Sequence, residues 1–437
     1  MQIKTKNIFI IFLIPILLSM VGFGCKRSCS SSTGKVTKNE VTLTYWSLFT
    51  ESEFIDPLIR AFSAQNPQIK INYKNFGNDY INYHREIIDA LASGRGPDIW
   101  SVHHTWLTRD KNLIAPCPEN VMNINDFKAS FVDAAIDDNI IDGAIYGIPF
   151  SLDTLALFYN QDLFNQAHIV SPPGDWETFK EDVKMLVKQD EKGKISQAGT
   201  ALGTAKNINR ASDIVALLMM QNGAQMTDAN KTSATFNASR QDQTGKSYVP
   251  GKEALNFYTE FASPKKAVYT WNPLSHYSID AFTEGTLATM FSYSFHLPTV
   301  KLKAPNLSFK VSSMPQIAGN REVNFANYWT NVVSVKTKYP TEAWTFLAFM
   351  AKKENMQNFC SAAKRPPARR DLFNMFDNDP ELSIFAHQIL TARSWPRKDN
   401  DAADEIFEDM VEDIILGKKT TDESLNFAAA QVNQMMK

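Results

Sequence analysis

The stretch Tyr146–Phe164 (YGIPFSLDTLALFYNQDLF) constrains the fold of this chain more than any other part of the sequence. Its apolar and aromatic run, Phe150–Tyr159, contains one carboxylate, Asp153. A strand that is apolar on both faces is normally buried in a sheet that is covered on both sides. A carboxylate inside such a strand is costly unless it is paired, hydrogen-bonded or open to a wet cavity.

Two interpretations of Asp153 are open at this point. In the first, the run is a core strand and Asp153 caps a neighbouring turn. In the second, the run is a crossover strand between two lobes, and Asp153 faces the cleft between them. The residues that follow, Asn160-Gln161-Asp162, are typical of the N-cap of a helix. The remainder of the chain favours the crossover.

The length of the chain, 437 residues, predicts two or three domains, because single cores stop growing at roughly 250–300 residues. The formal net charge of −2 gives no electrostatic reason to expect nucleic acid or an anionic membrane surface as a partner. The chain is rich in aromatic residues, with 8 Trp, 13 Tyr and 29 Phe. Aromatic side chains suit a cleft that holds flat, amphipathic ligands.

The N-terminus has the layout of an export signal. Lysines precede the apolar run Ile8–Val21, which at about 14 residues is shorter than the roughly 17–25 residues of a membrane-spanning helix. The layout resembles a bacterial lipoprotein, with residues 1–25 as the signal peptide, Cys25 as the lipidation site and residues 26–40 as a flexible tether. Gly22 stands where Leu is usual, so an uncleaved anchor is the alternative.

Four cysteines do not indicate a disulfide framework in a chain of this length. Cys25 and Cys29 fall in the N-terminal segment. Cys117 and Cys360 could pair, and the sequence alone leaves this open. The sequence shows no CxxC, HExxH or clustered His/Cys spacing, so neither a metal nor a cofactor is predicted.

The segment 41–102 follows the order strand, helix, strand, helix, strand. This order predicts a parallel sheet with helices on its faces. In such sheets ligands bind beyond the carboxyl ends of the strands. Those ends are Trp46-Ser47-Leu48 and His103-His104-Thr105-Trp106.

Several motifs in a fixed order indicate a family. They are GRGPDIW (94–100), the stretch 146–164, PPGDWETF (172–179), AFTEGTLATMFSYSF (281–295) and PTEAWTFLAFM (340–350). From about Thr42 to the C-terminus, the chain resembles the extracellular solute-binding proteins of ABC importers, in the carbohydrate-type family that includes maltose-binding protein. The resemblance implies an α/β fold, a two-lobed periplasmic-binding-protein-like clamp of type II. Each lobe is expected to be a mostly parallel sheet flanked by helices, and a multi-segment hinge joins the lobes.

The resemblance also implies domain boundaries. The N-terminal lobe would comprise residues 41–152 and 309–350, and the C-terminal lobe residues 153–308 and 351–437. A strand over Phe309–Met314 would return the chain to the first lobe. The expected hinge crossovers lie near Ser151–Asp153, near Leu307–Phe309 and near Met350–Lys352. Several segments that cross together allow the lobes to bend and twist closed over a ligand.

The expected ligand-binding residues come from this resemblance and from the strand ends. They are Trp46, Ser47, Glu51, His103, His104, Trp106, Asp153, Ser292, Tyr293, Phe295, Asn327 and Trp329. Asp153 matches the position of a carboxylate that faces the sugar in maltose-binding protein. Carboxylates accept hydrogen bonds from vicinal hydroxyls in good geometry. Trp46 and Trp106 fit core positions equally well.

Some motifs depart from the family pattern. Phe295 takes the place of a stacking Trp, which keeps an aromatic face and loses the indole donor. The bulky sequence Asn327-Tyr328-Trp329 replaces a glycine-rich loop and is expected to shrink the pocket towards a smaller ligand. Arg365-Pro366-Pro367-Ala368-Arg369 looks like a second-lobe loop at the cleft mouth. Its arginines could serve in surface pairs or in docking to the permease.

Two classes of function fit these residues. The resemblance implies a monomeric binding protein without enzymatic activity, anchored to the outer face of the cytoplasmic membrane, that delivers a sugar or oligosaccharide to ABC permease subunits. The alternative ligand is a polyamine, an oligopeptide or another small polar solute. A glycoside hydrolase would instead need two carboxylates, and Asp153 with Glu51 or Asp98 is the available pair. Asp98 fits a turn cap better.

Overall fold

Two sheets, each with its own hydrophobic core, organise the part of the chain that the computed structural model describes, residues 40–242 and 244–437. The predicted signal peptide, Cys25, Cys29 and the predicted tether up to residue 39 lie outside the described residues. Within the described residues, no helix combines the length and the apolar character that crossing a membrane requires.

Short strands and helices of up to 16 residues make up the secondary structure. The strands, in chain order, are β1 (Val41–Ser47), β2 (Ile69–Asn75), β3 (Ile99–His103), β4 (Ile114–Ala115), β5 (Ile140–Ile141), β6 (Ala144–Ile145), β7 (Ile148–Pro149), β8 (Asp153–Thr154), β9 (Ala156–Asn160), β10 (Lys188–Gln189), β11 (Ile195–Thr200), β12 (Arg240–Gln241), β13 (Ser247–Tyr248), β14 (Leu287–Ser292), β15 (Phe309–Ser312), β16 (Asn324–Asn327), β17 (Trp329–Ser334) and β18 (Ala392–Arg393). The α-helices are α1 (Ser52–Gln65), α2 (Tyr80–Ala92), α3 (Leu107–Asp110), α4 (Ile124–Ser130), α5 (Asp133–Asn139), α6 (Gln161–Gln166), α7 (Trp176–Leu186), α8 (Ala211–Gln221), α9 (Pro250–Glu260), α10 (Ser278–Thr283), α11 (Leu297–Lys303), α12 (Pro340–Met350), α13 (Lys353–Ala363), α14 (Leu382–Gln388), α15 (Asn400–Ile415) and α16 (Thr421–Met436).

The first sheet has the order β2-β1-β3-β17-β4, and β7 also pairs with β17. Strand β1 is parallel to both β2 and β3, which confirms the parallel arrangement predicted for 41–102. Strand β17 is antiparallel to β3, β4 and β7, so the sheet is mixed. We call this sheet and the elements that pack on it the first lobe.

The second sheet has the order β10-β11-β14-β9-β15. Only the β11–β14 pair is parallel, and the β10–β11, β14–β9 and β15–β9 pairs are antiparallel. The two-lobed α/β architecture is as predicted, but the expectation of mostly parallel sheets is wrong. The reason is that β9 enters this sheet as the crossover strand, in the direction opposite to both of its neighbours. We call this sheet and its packed elements the second lobe.

Buried apolar side chains lie on both faces of the first sheet. Tyr45 and Val333 belong to the cluster on one face, together with Trp344 of α12. Trp100 and Val332 belong to the cluster on the other face. This division follows the alternation of side chains along a strand, which places neighbouring residues on opposite faces.

Three chain segments cross between the lobes through a small sheet of order β18-β16-β8. In each segment, residues close together in sequence belong to different cores. Leu152, Ala326 and Ala392 lie in the first-lobe core, and their sequence neighbours Leu155, Phe325 and Trp395 lie in the second-lobe core. Because these strands are hydrogen-bonded to one another, they form a shared connection about which the lobes can bend.

This arrangement corrects part of the predicted chain division. The crossing at 151–153 is present. The predicted strand at Phe309–Met314 is also present, but β15 pairs with β9 in the second sheet, and Phe309 stacks on Phe158 at 6.1 Å between ring centroids. The chain therefore returns to the first lobe later, at β16. Conversely, the residues after 350 do not leave the first lobe at once, because Met356 and Cys360 are buried in its core.

Candidate functional site

A cavity of about 1280 Å³ lies between the two lobes. The predicted ligand-binding residues that line it are Ser47, Glu51, His103, Trp106, Asp153, Phe295, Asn327 and Trp329. They come from the ends of first-lobe strands, from the crossing strands β8 and β16, and from the loop after β14 in the second lobe. The structure therefore brings together residues that are as much as 282 positions apart, between Ser47 and Trp329.

Trp46 and His104 do not line this cavity. Trp46 is separated from it by strand alternation, since Tyr45 and Ser47 face the cavity and the Trp46 ring packs on Phe76 at 5.1 Å. The His104 ring is buried in the first lobe, where Nδ1 lies 2.8 Å from an Asp138 oxygen. These placements correct the prediction that both side chains form the cavity wall.

Ser292 and Tyr293 also lie behind the cavity wall, which corrects their predicted placement on it. The Ser292 hydroxyl lies 2.8 Å from His296 Nδ1. The Tyr293 ring is fully buried and stacks on Phe295 at 5.4 Å between centroids. Its hydroxyl donates to Asp213 Oδ2 at 2.8 Å. Both residues thus support the side chains of Phe295 and His296, which do line the cavity.

Asp153 lines the cavity, and its carboxylate also holds the loop that carries Phe295. Asp153 Oδ2 accepts a hydrogen bond from Ser294 Oγ at 2.7 Å, and Oδ1 accepts one from the Thr154 backbone N–H at 2.8 Å. Burial raises the pKa of Asp153 to about 6, and these hydrogen bonds oppose that shift. The two sequence interpretations therefore both hold in part, because Asp153 lies on a crossover strand, faces the cleft and also fixes a neighbouring loop.

His103 lies at a contact between the lobes on the cavity wall. Its Nε2 lies 2.9 Å from Asn327 Oδ1, an oxygen that can only accept, so Nε2 carries the proton in this arrangement. Its Nδ1 lies 3.0 Å from Asn400 Nδ2 at the start of α15. The Thr105 hydroxyl donates to Asn400 Oδ1 at 2.6 Å. Burial lowers the pKa of His103 well below its usual range, so the imidazole is neutral.

The aromatic rings of the cavity come from both lobes. In the first lobe, Trp329 packs edge-to-face against Phe49 and Trp106, each with 5.5 Å between centroids. In the second lobe, the Phe295 side chain is 48% exposed. Tyr328, which we expected to shrink the pocket, turns its ring into the first lobe and stacks on His104 at 4.3 Å. The cavity volume of about 1280 Å³ lies above the roughly 300–1,000 Å³ of typical small-molecule sites, so the expectation of a small pocket is wrong.

Sequence reasoning missed a charged group on the second-lobe wall. It consists of Arg210, Asp213, Arg397 and Asp404, all of which line the cavity. Arg397 lies 3.4 Å from Asp213 and 3.1 Å from Asp404. No sequence signal connects residues nearly two hundred positions apart, and only the packing of α15 on α8 brings them together.

The loop 365–369 lies in the first lobe rather than the second, which corrects another expectation. Ala368 is fully buried in the first core. Arg365 lines the cavity and donates to Thr50 Oγ1 at 3.1 Å and to the Phe49 carbonyl. Its guanidinium thereby fixes the loop after β1, close to the predicted ligand residue Glu51.

Three further expectations concern the cysteines, a metal site and Asp98. Cys117 and Cys360 are both free thiols. Within residues 40–242 and 244–437, no cluster of three or more His, Cys, Asp or Glu side chains is arranged to hold a metal ion. The Asp98 carboxylate accepts from the Thr44 backbone N–H at 2.8 Å and from the Thr337 hydroxyl, so it ties the start of β3 to β1 rather than capping a local turn, and it does not line the cavity.

Comparison with known proteins supports this architecture. The family model described as "Bacterial extracellular solute-binding protein" matches residues 57–383 of this chain. The chain belongs to this family. The solute-binding protein is 23% identical over 394 residues to a Brucella abortus chain described as a binding protein, with 88% of this chain and 90% of that one covered. It is 24% identical over 384 residues to the arabinooligosaccharide-binding protein of Bacillus subtilis, with 84% and 82% covered.

A solved structure gives the same result for the fold of this solute-binding protein. The cyclic alpha-maltosyl-1,6-maltose binding protein of Arthrobacter globiformis superimposes with a TM-score of 0.76 at 17% identity. The alignment covers 91% of this chain and 100% of that structure. The extracellular solute-binding assignment and the two-lobed sugar-binding-protein fold predicted from the sequence are thereby confirmed.

Proposed function

We propose that this solute-binding protein is the receptor of an ABC importer and binds a sugar or oligosaccharide in the cavity between its lobes. The observation that carries the proposal is that aromatic rings from both lobes, Trp329 and Phe295 among them, line one cavity together with polar groups. A sugar offers an apolar ring face and many hydroxyls, and such a cavity can bind both. The sugar ligands of the Bacillus and Arthrobacter relatives are consistent with this choice.

The crossing strands supply the motion that delivery requires. Asp153 and Asn327 are register partners in the small sheet that joins the lobes, and both line the cavity. A ligand that touches both lobes stabilises the closed arrangement, because only that arrangement completes its contacts. We propose that the closed form is what the permease subunits recognise. The chain would act as a monomer, held at the outer face of the cytoplasmic membrane by lipid on Cys25.

The proposal assigns no catalytic step to this chain. Of the two carboxylate pairs that could serve glycoside hydrolysis, Asp153 with Asp98 is disfavoured because Asp98 is engaged with Thr44 and Thr337. Asp153 with Glu51 remains testable by prolonged incubation with oligosaccharides. Product formation that Asp153→Asn abolishes would show an enzyme rather than a receptor.

The direct test is thermal unfolding of the full-length chain with neutral and acidic mono- and oligosaccharides, and with putrescine and spermidine as cationic controls. A ligand at 100 times its Kd adds about 2.7 kcal/mol to native-state stability. For a chain of this size we expect a Tm rise of roughly 1–3 °C. Phe295→Ala should reduce the rise by removing the exposed aromatic face. Tm shifts with polyamines alone would refute the sugar proposal.

A further inference from the structure

Arg210 presents an unused guanidinium at the second-lobe wall of the cavity. Arg210 lines the cavity, and its guanidinium makes no hydrogen bond or ion pair to any residue within 40–242 and 244–437. Its backbone is left-handed, with φ at +61°, immediately before α8. Non-glycine residues held in this conformation cluster at ligand sites, where the surrounding structure fixes them.

The rings of Phe295 and His296 lie next to Arg210 on this wall of the cavity. The guanidinium carbon lies 5.9 Å from the centre of the Phe295 ring, which is the exposed aromatic face of the second lobe. The His296 ring lies 4.5 Å from the same ring. His296 Nδ1 is occupied by the Ser292 hydroxyl, which leaves Nε2 without a partner inside the described protein. A sugar ring stacked on Phe295 would therefore have the Arg210 guanidinium and the His296 imidazole at its edge.

The carboxylates nearest to Arg210 are already engaged by other donors. Asp213 accepts from the Tyr293 hydroxyl at 2.8 Å and lies 3.4 Å from Arg397. Asp404 accepts from Ser212 Oγ at 2.6 Å and from Arg397 at 3.1 Å. Within the described residues, the guanidinium of Arg210 thus has neighbouring negative charge but no bonded acceptor. Its donors remain available to an acceptor that enters the cavity.

We propose that Arg210, with His296 beside it, binds an anionic group on the sugar that stacks on Phe295. The guanidinium fork matches a carboxylate or a phosphate with two parallel hydrogen bonds, and these charge-assisted bonds are stronger than bonds to a neutral hydroxyl. A uronic acid and a sugar phosphate share this chemistry. The inference rests on the proposed sugar-binding function and narrows its ligand to acidic sugars.

The test is isothermal titration calorimetry of the full-length chain with matched pairs of ligands. The pairs are galacturonic acid with galactose, glucuronic acid with glucose, and glucose 6-phosphate with glucose. The variants are Arg210→Met, which removes the charge, and Arg210→Lys, which keeps it without the fork. Arg321→Met, at an exposed position, is the matched control. Unfolding without ligand establishes that each variant is folded.

In the wild type we expect the acidic member of at least one pair to bind about tenfold to 100-fold tighter than its neutral partner. Arg210→Met should abolish this preference, Arg210→Lys should reduce it, and Arg321→Met should leave it unchanged. The uronic acid and phosphate pairs decide which anion is the natural one. Tighter or equal binding of the neutral sugars, or a preference that survives Arg210→Met, overturns the inference and leaves sugar binding standing. No binding by any sugar, acidic or neutral, overturns both.

Discussion

Replacing Asp153 by Asn should remove a pH dependence of folding stability that the carboxyl creates. Burial raises the pKa of Asp153 from 3.8 to about 6 in the folded state. The native state therefore binds more protons than the unfolded chain between those two values. Over that window the free energy of unfolding falls as the pH rises, because the charged form is the one that burial disfavours.

The magnitude follows from the size of the shift. One pKa unit corresponds to about 1.36 kcal/mol, so the full shift amounts to about 3 kcal/mol. The carboxyl is on the cavity wall and keeps some contact with solvent, which screens its charge. We therefore expect about half of that amount, or about 1.5 kcal/mol. The Asn side chain is nearly isosteric and keeps an oxygen that can accept from Ser294 or Thr154.

The assay is urea unfolding of wild type and Asp153→Asn at about pH 4.5, 6 and 7.5. Other titrating groups are common to both proteins, so the difference between them isolates residue 153. The range begins above the unfolded-state pKa of 3.8 and so covers about two thirds of the change; wild-type stability minus variant stability should therefore fall by about 1 kcal/mol as the pH rises across it.

Asp175→Asn provides the control for this experiment. Its carboxylate caps α7, and hydrogen bonds from Thr178 lower the pKa of Asp175. A lowered pKa gives stability that is already present above the unfolded value and is lost only in more acidic solution. The Asp175 difference should thus be flat over the same range. A flat Asp153 difference, or one that grows with pH, would refute the reasoning about residue 153.

Two further predictions concern the lobe contact and the thiols. Asn400→Ala removes the hydrogen bonds that join Asn400 to Thr105 and His103 between the lobes, each worth about 1 kcal/mol. Because the closed arrangement is weakened, the unliganded chain should have a larger radius of gyration in X-ray scattering. The variant should also release its ligand faster. Burial raises the pKa of the Cys117 thiol to about 12 and that of Cys360 well above its usual range. Both thiols should stay protonated near neutral pH. Site-resolved mass spectrometry should find the fully buried Cys360 alkylated by iodoacetamide only as fast as the chain unfolds, and the partly buried Cys117 alkylated faster than Cys360.

The first of these predictions has a matched control in Asn426→Ala, on α16, whose side chain accepts a hydrogen bond from Asn237 within the second lobe. Equal scattering by both Asn variants and wild type would show that the Asn400 contact does not influence closure. Rapid alkylation of Cys360 under conditions that keep the chain folded would contradict its burial.

The sequence correctly predicted those structural features that depend on residues close together in the chain. The order of elements over 41–102 correctly predicted the parallel pairing of β1 with β2 and β3. Asn160 caps α6 as its position suggested, with its side chain accepting from the backbone N–H groups of Asp162 and Leu163. Strand alternation also carried unused information, since the buried positions of β1 already place Trp46 opposite Tyr45 and Ser47.

The sequence by itself determined the crossover at Asp153 and the family to which this solute-binding protein belongs. Only the tertiary structure decided which lobe holds 309–312 and 356–368, because an apolar strand or helix fits either core until its partners are known. The same holds for the place of Arg210 on the cavity wall and for the ion pair between Arg397 and Asp213. Such long-range charge contacts leave no periodic trace along the chain, and they arise only when α15 packs beside α8.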